Sequence, residues 1–110
     1  TKFPLHAAAK AGDVDAMALL LDGGAAVDQA KDGATSLFIA CQNGHVDVAR
    51  LLLDKGAEVD RAASGRWNKG QTPLHIACKN GHIGAARLLL ECGAKLQPAV
   101  RFYLSMNFIV

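Results

Sequence analysis

Cysteine and histidine recur twice at the same short spacing in this chain. Three residues separate Cys41 from His45, and three separate Cys78 from His82. Thiolate and imidazole are ligands of structural zinc sites. However, a glycine directly precedes each histidine and is expected to end a helix between the two members of the pair. The two side chains would then not share a helix face, so we predict no metal site.

Other candidate catalytic motifs are incomplete, because their residues stand in the wrong order or lack a required partner residue. His6 and His75 each follow Pro-Leu and could serve as general bases, but no nucleophile lies in a partner motif. The glycine-rich stretch GRWNKGQT, residues 65–72, reverses the Gly-Lys order of a phosphate-binding loop. The chain contains neither Gly-x-Ser-x-Gly nor Gly-x-Gly-x-x-Gly. We therefore predict no enzyme activity, no catalytic residue and no cofactor.

The three cysteines do not fit a disulfide framework, because their number is odd and no Cys-x-x-Cys pair occurs. Reduced thiols are typical of intracellular proteins, so we expect the cytoplasm or the nucleus. Cys41 and Cys78 align with a small core position, whereas Cys92 directly precedes a glycine and is expected to be exposed. A helix C-terminus disfavours a thiolate, so Cys92 is not expected to be reactive.

Composition narrows the class of protein. The 110 residues carry twelve basic and ten acidic side chains, and a net charge of +2 gives little attraction to nucleic acids or membranes. The longest apolar stretch, FYLSMNFIV at 102–110, is far shorter than a membrane span, and no signal peptide is expected. Apolar residues make up 51% of the chain and aromatic residues 5%, which favours a single domain of helices packed through small side chains.

The elements that position these residues form an internal repeat. Three segments align with one another, at 3–28, 35–60 and 72–97. Each predicts a short helix, a glycine break, a second helix and a Gly-Ala turn. Equivalent leucines lie 32 residues apart between the first two segments and 37 apart between the last two. The connection before the third segment is therefore longer than the one before the second.

The third segment shows how one unit is punctuated. Thr72 is placed to cap a first helix that starts with Pro73, and Gly81 ends it. A second helix is predicted from about Ile83 to Glu91, and Gly93 ends that one. Helices of about two turns are not stable alone in water. The apolar positions must therefore be buried by stacking the units side by side.

These motifs resemble the ankyrin repeat family. The resemblance rests on TPLHIA at 72–77, on NGH at 43–45 and 80–82, and on LLLDKGAEVD at 51–60. It implies an all-α solenoid of helix–turn–helix repeats with projecting β-hairpin fingers. It also implies a concave face made by the fingers and the first helix of each repeat. Finger here means the connection between repeats, the first around residues 29–34 and the second around 61–71.

The predicted domain boundaries follow from this resemblance. The repeat domain spans 1–97, with repeats at approximately 1–28, 29–60 and 61–97. An apolar C-terminal tail occupies 98–110 and has no repeat pattern. Terminal repeats need a polar outer face, and neither end shows one. Two hypotheses stay open: the tail folds over the third repeat, or the chain belongs to a longer array.

Several residues depart from the family pattern. Phe3 stands where the family has a capping threonine, and Ser36 and Phe38 replace proline and histidine. Gly84 lies inside a predicted helix, where glycine costs about 1 kcal/mol relative to alanine. The first finger is one residue shorter than the family period predicts, and the second is four longer.

The resemblance also assigns roles to the histidines. At the positions of His6 and His75, the family's imidazole hydrogen-bonds backbone and threonine groups across repeats, which implies a structural role. His45 and His82 begin the second helix, where the first repeat has Asp13. That exchange favours a capping or turn role for both side chains.

The longer second finger carries the only tryptophan of the chain, Trp67. Tryptophan and arginine are enriched among interface hot spots, and long loops often carry function. We therefore expect this finger to contact a protein partner. The alternative is that the Trp67 ring folds back and packs on its own finger.

The resemblance places the partner-binding positions at the finger tips and at the exposed ends of the first helices. Asn43 and Asn80 are also expected to end those helices. The full set of candidate partner-binding residues is Arg66, Trp67, Asn68, Lys69, Lys31, Asp32, Ala34, Gln71, Lys10, Gln42, Asn43, Lys79 and Asn80.

The sequence thus predicts a non-catalytic module that binds a protein partner with a mildly acidic surface. Rival hypotheses stay open: a structural spacer, or a fragment that self-associates through its uncapped ends or its tail. Stacking of Trp67 on a nucleic-acid base is disfavoured by the near-neutral charge. Catalysis by another domain of a longer protein is a further alternative.

Overall fold

The computed structural model describes residues 2–96 and Arg101. The hypothesis that the C-terminal tail folds over the third repeat rests on residues 97–100 and 102–110, which lie outside this description. The described residues form six helices, and the predicted bounds of the last one are confirmed. In chain order the helices are α1 (Pro4–Ala11), α2 (Val14–Asp22), α3 (Ser36–Gln42), α4 (Val46–Asp54), α5 (Pro73–Lys79) and α6 (Ile83–Glu91).

The helix starts follow from local side-chain chemistry. Thr35 and Thr72 cap α3 and α5, since each hydroxyl oxygen accepts a hydrogen bond from a backbone N–H three residues on, at 3.3 and 3.2 Å. Asp13 caps α2 in the same way, with its carboxylate accepting from Ala16 N at 3.0 Å. Phe3 provides no side-chain cap to α1, as its departure from the family pattern predicts. Proline at the first position of α1 and α5 fixes the backbone for the first turn.

The helices stack in two layers. One layer holds the first helices, where α3 packs against both α1 and α5, and the other holds the second helices, where α4 packs against both α2 and α6. The core between the layers is built from leucine and small residues. Leu37, Leu52, Leu74 and Leu89 are fully buried. Each repeat therefore supplies one wall of the next repeat's core.

The glycine inside α6 marks a close approach between helices. A Cβ atom at Gly84 would lie 3.2 Å from the Cγ2 atom of Val46 at the start of α4. An alanine at position 84 would therefore require the Val46 methyl group to move by a few tenths of an ångström. This contact gives a reason for glycine at position 84, which the repeat pattern alone does not provide.

His45 and His82 tie each repeat to the preceding one. They occupy the N-cap positions of α4 and α6, but neither side chain makes a cap hydrogen bond. The predicted capping role is therefore wrong for these side chains. Instead, Nε2 of His45 donates to the carbonyl oxygen of Lys10 at 3.0 Å, and Nε2 of His82 donates to that of Gln42 at 3.1 Å. The reason is geometric: the imidazole extends sideways across the stack rather than back onto its own helix.

The imidazole rings rest on glycines of the preceding repeat. A Cβ atom at Gly12 would lie 2.6 Å from Nδ1 of His45, and one at Gly44 would lie 2.6 Å from Nδ1 of His82. Both glycines adopt positive φ angles, which glycine tolerates without strain. The glycine that ends the first helix of one repeat thus receives the histidine of the next repeat's Asn-Gly-His motif, and the two residues form an inter-repeat joint.

The histidines of the first helices differ in burial. His6 is buried, and its Nε2 donates to the carbonyl oxygen of Ala34 in the next repeat at 2.8 Å. This inter-repeat bond agrees with the predicted structural role of His6. His75 is partly exposed, and its pKa is lowered by desolvation and then by the neighbouring charge of Lys79.

The first finger is a very short hairpin. Lys31 and Ala34 form a single antiparallel bridge, with backbone bonds of 2.9 and 3.0 Å. Asp32 and Gly33 between them have φ angles of 52° and 78°, the left-handed pair that a type I′ turn requires. Within residues 2–96 no strand extends beyond this bridge. The β-hairpin fingers implied by the resemblance are therefore reduced to one bridge here.

Two alanine substitutions distinguish the contact between His82 and Gly44 from the backbone strain that any Cβ atom causes at a positive φ angle. Gly44 and Gly81 have nearly equal φ angles of 73° and 75°, but a Cβ at Gly81 meets no described atom within 4 Å. Gly81→Ala is expected to lower the free energy of unfolding by about 1 kcal/mol, the cost of a Cβ in the left-handed region. Gly44→Ala should lower it by about 1 kcal/mol more, because His82 must move and lose its hydrogen bond. Urea titration of both variants measures the difference, and equal losses would contradict the joint.

Candidate functional site

The second finger is held in one shape by its own backbone. Ala63 N donates to the carbonyl oxygen of Gln71 at 2.7 Å, and Gly70 N donates to that of Ala63 at 2.8 Å. These two bonds close the base of the loop formed by residues 64–70. Gln71 N also donates to the carbonyl oxygen of Asn68 at 3.0 Å, which tightens the descending side. The second finger, four residues longer than the family pattern, is therefore a closed, hydrogen-bonded loop.

The side chain of Asn68 fixes the tip of this loop. Its Oδ1 atom accepts a hydrogen bond from Gly65 N at 2.8 Å, and Asn68 is half-buried. Asparagine commonly closes turns in this manner. Arg66 and Trp67 lie between the two bonded residues and are therefore displayed at the tip.

The two fingers are in direct backbone contact. Ser64 N donates to the carbonyl oxygen of Gly33 at 2.9 Å. A Cβ atom at Gly33 would overlap the backbone nitrogen of Gly65, and one at Gly65 would overlap the carbonyl oxygen of Asp32. Both positions therefore require glycine for a close approach of two backbones. The second finger is braced by the first.

Trp67 points away from the molecule. Its side chain is 88% exposed, whereas the largest core side chains are fully buried. The alternative in which the ring packs on its own finger is therefore wrong. Nearby in the finger, Arg66 and Lys69 are also exposed. Tryptophan and arginine are among the residue types most enriched in interface hot spots.

A hollow of about 400 Å³ lies between the first helices and the fingers. Its apolar wall includes Phe3, Ala7, Ala34 and Ile39, and its polar rim includes Lys10, Lys31, Asp32, Gln42, Asn43 and Asn68. The Phe3 ring meets the His6 ring edge-on at 5.7 Å between centroids. Nζ of Lys31 lies 5.6 Å from the centroid of the Phe3 ring. Aromatic and cationic groups thus meet at one end of the hollow.

A second hollow, of about 470 Å³, adjoins the first. It is lined by Asp32, Gly65, Arg66, Trp67 and Asn68. Asp32 and Asn68 belong to the walls of both hollows. The finger tip and the first-helix face therefore form one continuous surface.

The structure brings most of the predicted partner-binding residues to this surface, but not all. Lys69, Gln71, Lys79 and Asn80 line neither hollow. Ala34 is 3% exposed, so its side chain offers almost no surface to a partner. Asn80 ends α5 as predicted, and its side-chain amide donates to the carbonyl oxygen of Gln42 at 3.0 Å. Asn43 likewise ends α3 and bonds the carbonyl oxygen of Ile39 at 2.8 Å.

Five lining residues were missed from the sequence, namely Phe3, Ala7, Ile39, His6 and Gly65. Ala7 lies three residues before Lys10 on α1, so both occupy the same side of that helix. Ile39 occupies in α3 the position that Ala7 holds in α1. Helical spacing from the predicted contact residue Lys10 could therefore have located Ala7 and, by repeat alignment, Ile39. No sequence signal places Phe3 in the hollow, because it depends on the position of the first finger.

Charge is segregated between the two sides of the stack, which the net charge conceals. The α1, α3 and α5 side, with the finger tips, carries Lys10, Lys31, Arg66, Lys69 and Lys79 against Asp32 alone. The second helices and their caps carry Asp13, Asp15, Asp22, Asp47, Asp54 and Glu91 against Arg50, Lys55 and Arg87. The surface with the hollows is therefore basic and the opposite side acidic.

The cysteines take the positions predicted for them. Cys41 and Cys78 are buried, and Cys92 is exposed. Burial raises the pKa of the Cys41 thiol to about 12 and also raises that of Cys78. Both thiols are thus held in the protonated form and act as small core residues. Among residues 2–96 and Arg101, no three candidate ligands cluster as a metal site would require, and no helix is long and apolar enough to cross a membrane.

The Asn68 side chain can be tested as the lock of the finger tip. Asn68→Ala removes the acceptor of the Gly65 amide, so hydrogen exchange at that amide should accelerate about tenfold, as loss of about 1.4 kcal/mol implies. Asn68→Asp keeps an acceptor oxygen and should leave the exchange rate close to that of the unaltered protein. Amide exchange followed by NMR measures both. An Asn68→Ala variant with unchanged Gly65 exchange would show that the backbone alone holds the tip.

The comparisons with known proteins agree with this architecture. The profile described as "Ankyrin repeats (3 copies)" matches residues 1–63, and that described as "Ankyrin repeats (many copies)" matches residues 37–90. Among curated protein sequences, none matches this chain significantly. The crystal structure of the human ASB11 ankyrin repeat domain is similar, with a TM-score of 0.80 and 32% identity.

That similarity covers 94% of this chain and 54% of the ASB11 chain, so this chain spans about half the length of that solved structure. Ankyrin repeats are generally protein–protein interaction modules. The repeated motifs, the stacked helix pairs and the profile over more than half of the residues agree, and the chain belongs to the ankyrin repeat family.

Proposed function

We propose that this chain is a non-catalytic module that binds a protein partner through its first-helix face and its second finger. The single observation that carries the proposal is the 88% exposure of Trp67 on a finger closed by hydrogen bonds. A partner that covers this ring removes a large apolar surface from water. That burial is the main source of favourable free energy in most associations.

The rigidity of the finger supports the same proposal. Association costs free energy when loops and side chains must be ordered, and a preformed loop reduces that cost. Here the backbone of the second finger is already bonded to itself and to Gly33 of the first. The partner therefore meets a surface whose shape exists before binding.

A non-catalytic role agrees with the chemistry of the reactive residue types. The Cys41 and Cys78 thiols are buried with raised pKa values, and the His6, His45 and His82 imidazoles bond backbone carbonyls of adjacent repeats. These groups serve the packing of the stack.

We propose the following partner contacts. Arg66 and Trp67 lie at the centre, with Asn68, Lys69 and Gln71 beside them. The first finger adds Lys31 and Asp32, and the first helices add Lys10, Gln42, Asn43, Lys79 and Asn80. Ala34 is left out of this set because it is only 3% exposed. The basic character of this set fits a partner with an acidic surface.

Self-association is a second candidate function, favoured by the outer face of the first repeat. Pro4, Ala7, Ala8, Ala16 and Leu19 are among the residues that line an apolar groove of about 450 Å³ there, and Leu19 is 75% exposed. Light scattering over a range of concentrations separates the two candidates. A mass that rises with concentration in the unaltered protein, but not in Leu19→Lys, would favour self-association.

Removal of the finger-tip side chains should abolish recovery of the partner. In affinity capture from lysate, an Arg66→Ala/Trp67→Ala double variant is expected to lose the proteins that the unaltered chain retains. A hot-spot side chain contributes about 2 kcal/mol or more, equivalent to about a thirtyfold loss of affinity.

The matched control for this capture is Arg87→Ala, which removes an exposed arginine from α6 on the opposite side of the stack. The control should recover the same proteins as the unaltered chain. Equal recovery by the double variant would contradict the proposed role of the finger.

A further inference from the structure

We infer that the hollow between α1, α3 and the fingers binds one large apolar side chain of an acidic, extended peptide segment, with flanking carboxylates against Lys10 and Lys31. This inference rests on the proposed function and names the chemistry of the partner segment. The hollow's volume of about 400 Å³ falls within the range of about 300–1,000 Å³ that is typical of ligand pockets.

The wall of the hollow favours an apolar side chain at its centre. Phe3, Ala7 and Ile39 supply carbon surface from the chain start and from two helices. Ala7 is exposed and Ile39 is half-buried, so a partner side chain can displace water from both. Burial of apolar area of this kind contributes about 25 cal/mol per Å².

The rim of the hollow favours carboxylates beside that side chain. Lys10 of α1 and Lys31 of the first finger both line the hollow and are exposed. Within the described part of the chain, neither forms an ion pair with a carboxylate. Nζ of Lys31 lies 5.6 Å from the Phe3 ring centroid, which keeps this cation at the mouth of the hollow.

The continuity of the two hollows favours an extended segment. Asp32 and Asn68 form a shared wall between the hollow and the site of Trp67. A peptide whose apolar side chain occupies the hollow can therefore continue to the finger tip, advancing about 3.3 Å per residue. Its later residues then cover the indole.

The separation of basic and acidic residues on the two sides of the stack predicts that the bound peptide is negatively charged. The first helices and the finger tips carry five exposed cations, Lys10, Lys31, Arg66, Lys69 and Lys79, against one carboxylate, Asp32. An acidic peptide is attracted to this side and repelled by the acidic second helices. Such complementarity raises association rates and selects against basic sequences.

A random-peptide display library is the probe that tests this inference. Peptides selected on the full chain are expected to be rich in Asp and Glu around one large apolar residue. A synthetic copy of a selected peptide, followed by fluorescence anisotropy, should bind a Lys10→Glu/Lys31→Glu double variant at least about tenfold more weakly. It should also bind the unaltered chain more weakly as NaCl is raised, because salt screens exposed charges.

The matched control is Arg50→Glu/Arg87→Glu, which makes the same charge change on α4 and α6. That variant should bind the peptide within about twofold of the unaltered chain, since its charges lie on the opposite side. Ala7→Phe is a further variant that fills the hollow from an exposed position and leaves the lysines in place. It should weaken binding at least about tenfold through lost space for the apolar side chain.

Several outcomes would overturn the inference. They are a selection that yields no binding peptide, selected peptides without acidic residues, equal losses in the two charge variants, or full binding by Ala7→Phe. None of them removes the proposed function. That function fails if Arg66→Ala/Trp67→Ala captures the same cellular proteins as the unaltered chain.

Discussion

No helix in residues 2–96 is long enough to persist alone, and this constraint governs the structure. Helices of seven to nine residues are unstable in isolation, so each must bury its apolar side against a neighbour. Stacking supplies the burial, and imidazole-to-carbonyl bonds from His6, His45 and His82 fix its register. The side chains between repeats are therefore constrained in size and polarity. Recognition is left to the helix ends and the fingers.

The second finger shows where such a stack accepts extra residues. An insertion inside a helix would shift the inter-repeat bonds, whereas one in a finger leaves the stacked layers in place. The inserted residues form a closed loop because Asn68 bonds Gly65 and because Gly33 allows Ser64 to approach. The result is a fixed loop that displays an indole beside a basic hollow. Scaffold and recognition surface are thus built from different parts of the same repeat.

Much of the fold was predictable because it depends on neighbours in sequence. The Thr72 cap, the bounds of α6 and the burial of Cys41 and Cys78 all follow from local spacing and repeat alignment. The role of His45 was not predictable in this way, because its bond reaches a carbonyl 35 residues away. That contact depends on how far one repeat is rotated against the next.

The candidate site was predictable only in part, for the same reason. The longer spacing between the second and third repeats identified an insertion in the second finger. Trp67 stood out there as the only tryptophan of the chain. The position of the finger tip depends on the backbone contact between Gly33 and Gly65, which lie in different fingers. Residue types taken one at a time do not predict this contact. The hollow likewise combines Phe3, α1, α3 and both fingers, which only the folded chain brings together.

The most direct test of the central claim is the emission maximum of Trp67, the only tryptophan in the chain. If the finger presents its indole to solvent, the native emission maximum will match that of N-acetyltryptophanamide in the same buffer, and unfolding in urea will leave it almost unchanged. A native emission maximum clearly blue-shifted from that reference, and moving to longer wavelength on unfolding, would contradict the account. Such a result would mean that the Trp67 ring packs against the protein and is not available to a partner.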